Sequence, residues 1–351
     1  MKREFFIFGL VIIILISLTS CGEFIPTGDN NLYPSAYVDG VITFNIDGSE
    51  QFAFGPECDG LDCDWGILTA MNDNKSFMLT NEHLFIFNTK FKTIESYLTN
   101  IKIDYTLNGL SRTGLSYDDQ YVVFTSDHQL YLLELNDKNI TQLTYDEYDM
   151  YPQFGVDGQI YFSRYNSEDN SSKLMIIDLD GGNMQEICEA SGQITQIFPG
   201  LSDLNTVFFM CDQRKFQKIN IINQETDLLY EFSNTFSLVT RTNNDGYFNF
   251  SGHDVVQYCF NTSSLEMTEY LYPQMEENKY ISIIMPDRNE ALVYKHLDYA
   301  ILMLWDPDSN TQTGEDFIVS ETSEWGSKTL AISPNGSMVA ILHTYNNYNH
   351  Y

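Results

Sequence analysis

The chain has 351 residues, 43% hydrophobic and 14% aromatic, which is ample for a large folded core and argues against a disordered chain. Its 49 Asp and Glu face only 18 Lys and Arg, a formal charge of −31. That balance speaks against nucleic acid and anionic lipid as direct partners and favours cations or basic partners, with solubility as the plainer explanation.

The N-terminus reads as an address. Lys2-Arg3 precede an almost unbroken apolar run over residues 5–18. The run falls short of the roughly 20 residues of a spanning helix and suits the hydrophobic region of a secretory signal. It ends in Leu18-Thr19-Ser20-Cys21, which resembles the bacterial lipobox. The resemblance implies cleavage after Ser20 and lipid on Cys21, so that residues 1–20 are a lipoprotein signal peptide. It also implies a lipid-anchored place in the bacterial cell envelope. Gly22 after the cysteine favours the outer membrane where one exists, on its periplasmic or surface face. An ordinary signal peptide with an incidental Cys21 is the alternative. Residues 21–36, with Pro26, Gly28, Asp29 and Pro34, read as a flexible tether, and residues 37–351 as the folded domain.

Residues 41–46, the turn Asp47-Gly48-Ser49 and residues 51–54 read as strand, turn and strand. Next comes Glu57-Cys58-Asp59-Gly60-Leu61-Asp62-Cys63-Asp64. In an oxidising compartment Cys58 and Cys63 are a candidate disulfide. The four carboxylates make the stretch a candidate calcium loop, although the spacing matches no established calcium pattern and a calcium cage needs six or more oxygens. Otherwise no metal or cofactor is expected.

Residues 151–188 show the repeating unit most clearly. Apolar runs at 153–156, 159–163, 173–179 and 184–188 are separated by Asp157-Gly158, a longer polar loop and Asp180-Gly181-Gly182, which predicts a four-stranded antiparallel meander. The corresponding first-turn residues are Asp73, Asp118, Asp157, Asp203, Asp245, Asp287 and Asn335, spaced by 45, 39, 46, 42, 42 and 48 residues. That period is one propeller blade. Second strands are expected at 76–79, 121–125, 160–163, 206–210, 247–250, 291–294 and 338–342, and third strands at 84–87, 130–135, 174–179, 218–222, 255–260 and 301–305. Outer strands are expected at 141–144 and 227–232. No sustained 3.6-residue period follows residue 36, so the domain is all-β. The last unit stops after its second strand, and residues 41–54 supply the two strands that it lacks. A seven-bladed propeller whose last blade is shared between the termini follows, with a six-bladed ring as the alternative.

Leu115-Ser116-Tyr117-Asp118-Asp119-Gln120-Tyr121-Val122-Val123-Phe124 resembles the WD40-like repeat of TolB-type propellers. Phe154-Gly155-Val156-Asp157-Gly158-Gln159-Ile160-Tyr161-Phe162 and Ile332-Ser333-Pro334-Asn335-Gly336-Ser337-Met338-Val339-Ala340 share the pattern. The resemblance is good over 112–190 and loose elsewhere. It implies a propeller of the kind found in envelope scaffolds and beside some peptidase domains, and it speaks to fold far more than to function.

Catalytic signatures are missing from the sequence. There is no G-x-S-x-G elbow and no H-E-x-x-H, and the six histidines are scattered. Asp118 and Asp157 read as turn formers, and Cys188, Cys211 and Cys259 as buried free thiols. Binding is expected at one mouth of the central channel, where Arg112, Arg241 and Trp325 are the candidates, with Met285 and Glu324 beside them. Ordinary salt bridges are the simpler use of both arginines. These features favour a non-catalytic binding or scaffold protein for an envelope protein or peptide. A hydrolase or lyase acting on polysaccharide through carboxylates at the channel mouth is the alternative.

Overall fold

The computed structural model describes the backbone of residues 113–235 almost throughout, the strands elsewhere between Gly40 and His343, and side chains over most of 114–269. Among the described residues the strands form seven antiparallel sheets, one per blade of a β-propeller.

Blade 1 comprises Ile67–Asn72, Lys75–Leu79, His83–Asn88 and Thr93–Leu98. Blade 2 comprises Thr113–Leu115, Tyr121–Ser126, Gln129–Glu134 and Asn139–Gln142. Blade 3 is Asp149–Phe154, Ile160–Asn166, Ser171–Ile177 and Gln185–Ser191. Blade 4 is Ile194–Pro199, Thr206–Cys211, Lys215–Asn220 and Thr226–Glu231. Blade 5 is Leu238–Arg241, Tyr247–Ser251, Val256–Asn261 and Glu266–Leu271. Blade 6 has Tyr280–Met285, Glu290–His296 and Ala300–Asp306, with its outer edge made by two short strands, Thr311–Gln312 and Phe317–Ser320.

The seventh blade closes the ring. Gly40–Asn45 pairs along its whole length with Met338–His343, from Gly40 opposite His343 to Asn45 opposite Met338. Phe52–Phe54 lies outside it and Leu330–Ile332 inside. Each terminus thus covers an edge that the other would leave open, and the six-bladed alternative falls away.

In blades 2, 3 and 4 the second strands carry runs of consecutive buried residues, because both of their faces are buried between blades. In Thr206–Cys211, Val207, Phe209 and Cys211 join the core shared with blade 3, alongside Met150, Tyr161 and Ile194. Phe208 and Met210 turn the other way, into an aromatic core with Phe216, Phe232, Phe248, Phe250 and Phe260 of blades 4 and 5. Between blades 2 and 3 the filling is mostly aliphatic, with Val123, Leu130, Leu132, Ile160 and Ile177. Near the axis the first strands come close: a Cβ on Gly114 would sit 3.1 Å from the Pro152 carbonyl oxygen and from Gln153 Cα.

Most strands begin or end a few residues from expectation, and two of these shifts have a visible cause. The first strand of blade 3 is Asp149–Phe154, because the Gly155 amide already bonds the Gln159 carbonyl and closes the turn. The third strand of blade 4 starts at Lys215, opposite Cys211, because the three residues Asp212, Gln213 and Arg214 turn tightly between them, with the Arg214 amide donating to the Cys211 carbonyl.

Candidate functional site

A meander places its first–second and third–fourth turns at one end of the ring. Its second–third turns, and the linkers entering the next blade, lie at the other. The second end is called here the entry end.

At the entry end, Asp127 and His128 both adopt positive φ (47° and 61°), as do Asp212 and Gln213 (53° and 56°). The first is a two-residue turn of the kind whose twist matches paired strands, the second places the same two positive φ values in a three-residue turn with Arg214, and neither contains glycine. The linker into blade 3 is locked to the first of them. The Asp149 amide donates to the His128 carbonyl, Gln129 Nε2 donates to the Glu147 carbonyl, and the Leu130 amide donates to Thr144 Oγ1. The linker into blade 4 repeats the device: the Gln193 amide donates to Asp212 Oδ1 and the Ile194 amide to Ser172 Oγ. Gly192, at φ 93°, is needed here because a Cβ would fall on the Asp212 carboxylate.

Asp149 and Arg164 face each other across the first and second strands of blade 3. Arg164 Nε donates to Asp149 Oδ1 at 2.8 Å and Nη2 to Oδ2 at 3.0 Å, a two-pronged pair. The Asp149 side chain is fully buried and that of Arg164 is 19% exposed. Burial opposes the guanidinium charge, but the bonds and field of Asp149, with Glu147 beyond, outweigh it and hold the proton more tightly than usual. Arg164 also lies over the Phe162 ring, 5.7 Å from its centre. Just past Asp149 the strand bulges: its register shifts between Met150 and Gln153, and Tyr151 takes φ 54°.

Aromatic rings flank the pair. Tyr148 stacks on His128 with centroids 3.7 Å apart and meets Tyr165 edge-on at 5.8 Å. The Tyr165 hydroxyl donates to Asn170 Oδ1 at 3.0 Å. Tyr145 stands 64% exposed on the same linker, and Tyr148 37%. The linker into blade 3 thus presents two exposed tyrosines, Tyr145 and Tyr148, and ends at the buried charge pair of Asp149 and Arg164.

No family model matches the chain, and no curated protein matches it. Solved structures do. An oligogalacturonate lyase from Vibrio parahaemolyticus superposes with a TM-score of 0.59 at 12% identity, over 91% of this chain and 100% of that one. An oligogalacturonate lyase in complex with manganese superposes with a TM-score of 0.53 at 12% identity, over 78% of this chain and 86% of that one. At such identity the likeness shows the propeller fold alone.

Of the residues singled out from sequence, Cys21, Cys58, Cys63, Arg112 and Trp325 lie outside the described residues, as does the acidic stretch 57–64. Arg241 ends the first strand of blade 5, opposite Phe248, and its side chain is outside the described residues. Cys188, Cys211 and Cys259 are free thiols. Burial pushes them up to about 11, 12 and 12 respectively, which keeps them protonated and unreactive. Among the described residues no three His, Cys, Asp or Glu side chains gather as metal ligands. Asp149, Arg164, Tyr145 and Tyr148 were not anticipated. Arg164 carried one usable signal, as a rare arginine in an acidic chain.

Proposed function

We propose that this chain is a lipid-anchored propeller of the bacterial cell envelope that acts on a polysaccharide, as a hydrolase or lyase, at the entry end. The observation that carries this reading is the two exposed tyrosines, Tyr145 and Tyr148, on the linker that ends at the Asp149–Arg164 pair. Tyrosine rings stack on the apolar faces of sugars, and the partly exposed Arg164 guanidinium keeps N–H donors for hydroxyl or carboxylate groups. The oligogalacturonate lyases among its structural neighbours lend support, as proteins of the same architecture named for sugar-chain cleavage. Arg164 is held by Asp149 and serves to position rather than to transfer protons.

The test is turnover by the full chain of oligogalacturonate and of neutral glucan oligosaccharides, with and without manganese. Unsaturated uronate products identify a lyase and new reducing ends a hydrolase, and Tyr148→Ser raises KM more than it lowers kcat. Absence of both turnover and any ligand-induced rise in melting temperature overturns the reading.

A second reading, a non-catalytic scaffold for an envelope protein or peptide, is favoured by the TolB-type repeats at 115–124 and 154–162. Recovery of one specific partner from solubilised envelopes, together with inertness toward every oligosaccharide, would select it.

A further inference from the structure

The opposite end of the ring carries a different chemistry. Six large apolar side chains stand exposed there, all in first–second or third–fourth turns: Tyr117, Val156, Met184, Leu204, Ile222 and Leu265. They come from four consecutive blades, 2 to 5. Ile222 is 76% exposed, which no packing or turn requirement explains.

Leu265 is more telling. The residue closing the third–fourth turn has positive φ in each of these blades: Lys138 (58°), Asn183 (50°), Gln224 (58°) and Leu265 (58°). Three are polar, as expected for a left-handed position at the surface. In blade 5 a leucine takes the same strained conformation and is 53% exposed. An exposed apolar side chain held at a conformational cost is a contact residue in want of a partner.

The charge around these side chains sets the chemistry of that partner. Asp118, Asp137, Asp157, Asp180, Asp203 and Glu225 are exposed in the same turns, and Lys138 is the one cation among their described residues. Turn chemistry explains why the acids stand there, but their field remains. It repels a second copy of this chain, itself at −31, and anionic lipid.

We propose that this end of blades 2 to 5 docks a basic polypeptide segment in which Lys or Arg alternate with apolar residues. The apolar side chains give the contact and the carboxylates select the charge. The site lies away from Tyr145 and Tyr148, so the proposal holds whether or not the entry end turns over a glycan.

The test uses the full chain carrying Cys21→Ser, so that no lipid is attached, and labelled peptides of alternating Lys-Leu, Lys-Ser and Glu-Leu. Fluorescence anisotropy should show Lys-Leu binding, weaker Lys-Ser binding and no Glu-Leu binding. The combined variant Leu204→Ser, Ile222→Ser, Leu265→Asn should weaken Lys-Leu binding about ten-fold or more. Its melting temperature should not fall, and Tyr145→Ser should leave Lys-Leu binding unchanged. Equal binding of Lys-Leu and Lys-Ser would overturn the proposal, as would undiminished binding by the combined variant. So would a dimer, or attachment to zwitterionic vesicles, that the combined variant abolishes. Glycan turnover by that variant, measured in parallel, separates failure here from failure of the proposed activity.

Discussion

The two ends of the ring are built from similar meanders yet are held by different kinds of bond. At the turn end, the hydrogen bonds that shape each turn stay within one blade. Ser116 Oγ donates to Asp118 Oδ1, Thr206 Oγ1 donates to Asp203 Oδ2, and the Gly182 amide donates to Asp180 Oδ1. At the entry end the bonds step across blades, from Asp149 to His128 and from Ile194 to Ser172. One end repeats and the other couples. A change at the entry end should therefore be felt by the whole ring, and one at the turn end only locally.

The largest expected effect is at Asp149. Replacing it with Ala leaves the Arg164 guanidinium largely buried without its counter-charge, and should cost about 3–5 kcal/mol in urea unfolding. The double variant Asp149→Leu, Arg164→Met should recover much of that loss, because the apolar pair leaves no uncompensated charge.

Next comes a matched pair of glycines. Gly192 (φ 93°) and Gly158 (φ 82°) share the left-handed conformation, but a Cβ on Gly158 meets nothing within 4 Å. Gly158→Ala at the turn end should cost about 1 kcal/mol from backbone strain alone. Gly192→Ala should cost more, since Asp212 must move and release the Gln193 amide. Equal losses would remove the distinction between the ends.

A smaller effect is expected at Asp203, whose bonds from Thr206 and Asn205 hold its carboxyl below the usual carboxylate range. Asp203→Ala should cost about 0.5 kcal/mol, because solvent screens an exposed carboxylate. The folded value is the lower one, so the wild-type contribution is complete above the ordinary carboxylate pKa. It is lost as pH falls through that value toward the folded one. The stability difference between wild type and variant should therefore shrink in acid. The smallest effect is at Ile222: Ile222→Ser should change stability by no more than about 0.5 kcal/mol, because the side chain packs on little.

The contrast between the ends also governs what could be read from the chain. At the turn end, Asp157-Gly158 and Asp180-Gly181 announce themselves as residue types that tolerate positive φ, and with their period the whole ring was legible. So was its closure, because the strands missing after His343 have a matching pair at 41–54. The turns Asp127-His128 and Asp212-Gln213 carry no glycine and do not stand out. From sequence Lys215 therefore reads as lying before its strand, whereas it starts it. The Asp149–Arg164 pair was out of reach for a related reason. Fifteen residues separate the two, and only the strand register, interrupted by the bulge at Tyr151, shows that they face each other. Local turn chemistry is written in neighbouring residues, whereas bonds that cross strands and blades depend on a register that composition does not encode.

Hydrogen exchange on the full chain tests most directly the claim that the two ends serve different ligands. With an oligosaccharide that is turned over, protection should rise in residues 144–149 and 164–172 and stay unchanged in 200–206, 221–225 and 262–265. With the Lys-Leu peptide the pattern should reverse. Protection of the same end by both ligands, or of the turn end by the oligosaccharide, would contradict the account.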